Sequence, residues 1–132
     1  MRKHLVFKVV RDDEGTALVW FVFLVALLCL VVLTLATSVH QYLFARELID
    51  FTEQFAIAVK TQLQLEETVP VTSVGKDLLS AVTSQYSFPN LQLRQVSLES
   101  GGTVRVVFCA EWVSPLREVS ASRTICEMAL AR

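Results

Sequence analysis

The chain has 132 residues, a formal net charge of −1 and 53% hydrophobic residues. This length leaves room for one small core beside a membrane segment and argues against a large domain with a deep catalytic cleft. The near-neutral balance gives no support to a nucleic-acid partner.

Residues 1–15 read as a short charged leader, in which LVFKVV is too brief and too interrupted to span a membrane. Asp12, Asp13 and Glu14 sit where a helix beginning near Thr16 has its positive dipole end. From 17 to 36 there is no charge and no proline, and Thr34 is the only hydroxyl. That run meets the roughly 20 residues needed to cross ~30 Å of hydrocarbon, so residues 16–39 are expected to form a transmembrane helix. Arg2, Lys3, Lys8 and Arg11 precede it and the next basic residue is Arg46. The positive-inside bias therefore predicts a cytoplasmic N-terminus and an extracytoplasmic C-terminal domain, a single-pass protein of the cell membrane.

No glycine or proline interrupts residues 16–69, so the helix is expected to continue to near Glu66. Over 40–69 it becomes amphipathic. Phe44, Leu48, Phe51, Phe55 and Ala58 recur at spacings of four and three, tracing one apolar seam. Arg46, Glu47, Asp50, Glu53 and Lys60 take other faces, with Arg46 and Asp50 spaced to pair. The seam is expected to serve both as core and as an assembly surface for partner helices.

Residues 70–132 read as a small α+β domain. Ser73 is a candidate cap for a short helix over 75–86, with Val74, Leu78, Leu79 and Val82 on one face. Residues 91–98 and 103–112 alternate on either side of Ser100-Gly101-Gly102, a hairpin pattern that puts Val104, Val106, Phe108, Ala110 and Trp112 on one side. A further turn around Ser114-Pro115-Leu116 leads to a last strand over 119–130. The expected fold is a long N-terminal helix carrying a short helix and a three-stranded antiparallel sheet.

Cys109 and Cys126 lie almost equidistant from a turn centred near Arg117, so an antiparallel pairing would set them opposite each other as a disulfide. Two unpaired thiols are the alternative. Such a bridge requires an oxidising compartment, in keeping with the predicted topology; Cys29 falls within the apolar run. Metal binding is disfavoured, because two cysteines without a nearby histidine cannot complete a tetrahedral site.

The only histidines are His4 and His40, one in the leader and one at the outer membrane edge, which rules out a histidine-based triad or zinc site within the outer domain. Gly75-Lys76-Asp77 lacks the upstream glycine and the hydroxyl residue of a phosphate loop. No catalytic, cofactor-binding or metal-binding residue is assigned, and no enzyme is expected. Tyr86, Phe88 and Trp112 suggest a stacking platform, although aromatic residues beside strands more often belong to a core.

The stretch RDDEGTALVWFVFLVALLCLVVLTLA, the polar helix HQYLFARELIDFTEQFAIAVK, and the tail TVRVVFCAEWVSPL with TICEMALAR resemble TadE-like minor pilins of tight-adherence (Flp-type, type IVb) pilus systems, in particular small actinobacterial members. The resemblance implies a pilin-like or pseudopilin-like fold and a role in pilus assembly or the associated secretion apparatus. It also implies partnership with other pilins and membrane assembly proteins. A prepilin peptidase would cut after Gly15, leaving Thr16 as the new N-terminus. Many members carry glutamate at the fifth residue after the cut, and this chain carries Trp20. An apolar residue cannot neutralise a neighbour's terminal amine.

Two other readings stand beside this one. A signal peptidase cut after Ser38 would release a secreted protein, although the apolar run exceeds the usual 7 to 15 residues or so. An uncleaved single-pass scaffold or ligand-binding protein fits the same pattern.

Overall fold

A computed structural model of the chain describes residues 2–65, 69–116 and 122–132, with the backbone helix alone for 2–14. The first element, α1, is a single helix over Arg2–Leu65. It ends close to the expected position but begins well before Thr16. Residues 2–14 contain no proline, and the single glycine at 15 costs a helix only about 1 kcal/mol, too little to stop it. The leader is thus helical, and Gly15 lies inside a helix instead of at its boundary. The chain divides into two compact units, Met1–Ser38 and Val39–Arg132.

In the first unit the apolar side chains from Leu18 to Leu35 are exposed, which is compatible with a membrane span. The hydroxyls at its end are satisfied within the helix. Thr34 Oγ1 donates to the Val31 carbonyl at 2.8 Å, and Ser38 Oγ donates to the Thr34 carbonyl at 2.9 Å. Thr37 Oγ1 likewise donates to the Thr34 carbonyl at 2.9 Å, so each of these three hydroxyls has a backbone acceptor.

The second unit is built on the amphipathic part of α1. Leu48, Phe51 and Phe55 are buried, as the seam predicts, and Phe44 is half-buried. The stripe is broader than the seam and turns away from it: Thr52, Ala56 and Val59 are buried, while Ala58 is only half-buried. Alternating steps of four and three average 3.5 residues, whereas the helix has 3.6 per turn. The buried face therefore drifts about 20° per seven residues, toward Thr52 and Val59. Thr52 is accommodated because its Oγ1 donates to the Leu48 carbonyl at 2.6 Å.

The second helix, α2, covers Val71–Val82. Pro70, not Ser73, occupies the N-cap, with extended backbone angles that suit the start of a helix. Ser73 Oγ instead donates to the Pro70 carbonyl at 2.7 Å. The helix stops four residues before Tyr86, where the Thr83 N–H closes on the Leu79 carbonyl at 2.9 Å. Val74 is buried, and Leu78, Leu79 and Val82 pack against the core.

Three strands, β1 (Gln92–Glu99), β2 (Thr103–Trp112) and β3 (Arg123–Ala131), form one antiparallel sheet in chain order. The architecture is therefore the expected α+β. Gly101 and Gly102 take φ of 101° and 77°, the left-handed conformation their hairpin turn demands. An irregularity between Leu93 and Gln95 takes Arg94 out of the pairing. The last strand begins four residues later than expected, and the turn placed at Arg117 lies outside the described residues. Val104, Val106, Phe108 and Ala110 are completely buried and Trp112 nearly so, which fixes β2 as the central strand over the helix.

Cys109 pairs with Cys126 across β2 and β3, and the two are joined by a disulfide with their Cα atoms 4.0 Å apart. Replacing both with serine is expected to lower stability by about 3 kcal/mol, because the bridge closes a loop of 17 residues. Denaturant unfolding of both proteins, followed by near-ultraviolet circular dichroism, measures this; unchanged stability would refute it. At Gly75 an added Cβ would stand 3.1 Å from Val96 Cγ2 and 3.6 Å from Leu93 Cδ2. Gly75→Leu is expected to cost about 1 to 3 kcal/mol by forcing α2 off β1, read from the same unfolding curves.

Candidate functional site

Among the described residues no group of three or more histidine, cysteine or acidic side chains is placed to hold a metal ion. Gly15 has nothing within 4 Å of the place where a Cβ would stand, and Thr16 follows it on the exposed helix surface. Trp20 is 62% exposed and meets Phe23 edge-on at 6.1 Å. The residues about the predicted cut thus form an open face of a continuous helix, and a peptidase would have to unwind it locally. Glycine makes that least costly.

The seam residues take the core part of their expected double role. Phe51 and Phe55 contact Phe108 of β2 at centroid distances of 5.1 and 4.9 Å, and Leu48 is wholly buried. Phe44 meets Phe88 edge-on at 5.7 Å. Leu48, Phe51 and Phe55 are therefore core of their own domain and offer no surface to a partner helix. The cause is that the sheet has one apolar face and only this stripe is long enough to cover it. Burying each of the larger side chains contributes about 2 to 3 kcal/mol. The expected Arg46–Asp50 pair is also not formed; among the described residues the ion pair is Arg105–Glu99, at 2.7 Å on the outer sheet face.

Trp112 is not part of a stacking platform. Buried to 3%, it donates from Nε1 to His40 Nδ1 at 3.0 Å, which ties the end of β2 to the first turns of the second unit. The acceptor must be an unprotonated Nδ1, so the bond specifies one imidazole tautomer. Tyr86 and Phe88 do stack, with ring planes 7° apart and centroids separated by 6.2 Å, beside Phe51.

Sequence reasoning missed a polar tie at the near end of the sheet. Asn90 takes a φ of 50°, a left-handed position that asparagine tolerates, and its amide donates to Glu111. The Glu111 N–H in turn donates to the Pro89 carbonyl at 2.9 Å. A Pro-Asn pair before an alternating strand signals a turn, but which carboxylate it meets depends on strand register.

Comparison with protein-family models, with curated proteins and with solved structures finds no match to this chain.

Hydrogen bonds from Ser122 and, secondarily, Asn90 hold the Glu111 carboxyl below the usual carboxylate range. A lowered native value means that these bonds support the fold above the ordinary carboxylate range and stop doing so as pH falls through the lowered midpoint. Ser122→Ala is expected to move the Glu111 midpoint upward. A carbon-detected NMR titration of the side chain checks this, and an unmoved midpoint would rule out Ser122 as the main cause.

Proposed function

We propose that the chain is a structural subunit held in the cell membrane by one span, of the TadE-like minor pilin or pseudopilin kind. The observation that carries this reading is the single helix α1, which has an exposed apolar stretch in one unit and the buried spine of a small disulfide-stapled sheet in the other. Its most apolar stretch is long enough to cross a membrane, and none of that stretch is buried within the protein. A helix that satisfies its own hydroxyls suits hydrocarbon, and a disulfide suits the oxidising side of the membrane. With the basic residues before the span, these features support a cytoplasmic N-terminus.

On this reading the function is assembly, not catalysis. The apolar run stores the subunit in the bilayer before it joins other pilins or membrane components of a type IVb pilus or its secretion apparatus. A prepilin peptidase acts after Gly15. Leu48, Phe51 and Phe55 are used by the domain itself, so the partner surface is formed chiefly by residues outside this stripe.

An uncleaved single-pass scaffold is the second reading, favoured by Trp20 in place of an assembly carboxylate and by helix on both sides of Gly15. Intact-mass measurement of the membrane-extracted protein separates the two. Processing is expected to remove residues 1–15, and a Gly15→Leu variant is expected to keep them. Full-length mass for the unaltered protein, in cells with an active prepilin peptidase, would sink the cleavage reading. A new N-terminus at Val39 would instead show a secreted protein.

A further inference from the structure

A hollow on the flank of α1, beside the buried stripe, combines aromatic walls with an acidic rim. It is lined by Glu47, Asp50, Phe51, Gln54, Tyr86 and Phe88 and encloses about 160 Å³. A second hollow of about 190 Å³ adjoins it toward the end of α2 and shares Phe51, Gln54 and Tyr86. Phe51 supports the Tyr86 ring from below at 4.9 Å, while Tyr86 itself is 40% exposed. Its hydroxyl donates to Gln54 Oε1 at 3.4 Å, which holds the ring at the rim.

Glu47 and Asp50 are one turn apart on α1 and exposed. Neither carboxylate is in an ion pair with a described residue, although Arg46 is adjacent in the chain. Aromatic rings carry the negative side of their quadrupoles on their faces, and the carboxylates add formal charge, so the complementary ligand is a cation. Size narrows the choice: typical small-molecule pockets enclose about 300 to 1,000 Å³, and this hollow suits the end of one side chain. A planar guanidinium both stacks on rings and bonds carboxylates through its fork of donors, which a compact ammonium does not.

We propose that the hollow formed by Glu47, Asp50, Tyr86 and Phe88 receives an arginine side chain from a partner protein. This contact surface replaces the buried seam as the place where the outer domain meets its assembly partner. It rests on the reading of the chain as an assembly subunit, but not on cleavage at Gly15, so the mass measurement and the experiment below fail separately.

The test uses the full chain in dodecyl maltoside micelles, titrated with the peptide acetyl-Gly-Arg-Gly-amide and observed by NMR. Saturable shifts are expected at the Tyr86 and Phe88 rings and at the Glu47 and Asp50 amides, and the same peptide with citrulline in place of arginine is expected to give none. Combining Glu47→Gln with Asp50→Asn, both at exposed positions, is expected to weaken binding about five- to tenfold. Absence of saturable shifts, an equal response to the citrulline peptide, or unchanged affinity in the double variant would overturn the proposal. Choline binding as tightly as the arginine peptide would assign the hollow to a small quaternary ammonium ligand and overturn it equally.

Discussion

The second unit depends on one contact, the laying of the Leu48–Phe51–Phe55 stripe of α1 across the inner face of β2. Phe108 is the centre of that contact, wholly buried and touched by Phe51 and Phe55 of the stripe. A three-stranded sheet cannot by itself hide an apolar face from water. Covered by one helix and by α2 at its β1 side, it becomes a core, and the disulfide between β2 and β3 then restrains the unfolded chain. Remove the stripe, and the strands have nothing to fold against.

The same helix thereby answers two solvents. Its first part is apolar all round, with hydroxyls bonded back onto their own turns; its later part is apolar on one side only. On the proposed function, this continuity makes the spine of the domain also its membrane anchor. The cost is that the stripe is occupied. Any partner of the sheet domain has to use surfaces that the core leaves over, such as the flank where Glu47, Asp50 and Tyr86 remain exposed.

Much of the fold was legible in local pattern. Alternation alone placed β2 at Thr103–Trp112 and identified its inward residues, since a strand with one buried face must alternate. The glycine pair marked the hairpin because its turn needs positive φ. The cysteines were matched by counting from the turn, and register bears out that count. Less legible were the ends of helices. Gly15 looked like a boundary, yet one glycine is a small penalty against a long run of helix-compatible neighbours; Ser73 looked like a cap, yet Pro70 was available three residues earlier. The seam was found, but its drift toward Thr52 and Val59 was not, because a pattern of threes and fours does not reveal which neighbour the curvature of packing will favour.

By itself the sequence determined the apolar span, the amphipathic continuation, the alternating strands and the opposed cysteines, because each is a local or periodic property of neighbouring residues. Only the tertiary structure decided that Leu48, Phe51 and Phe55 are buried beneath the sheet while Phe44 keeps part of its surface. It alone brought Trp112 to His40 across 72 positions, Asn90 to Glu111, and Tyr86 to the acidic flank of α1. These pairings follow from how one helix and one sheet are set against each other, and that arrangement is fixed by the total apolar area they bury together, a quantity that no local stretch of the chain contains.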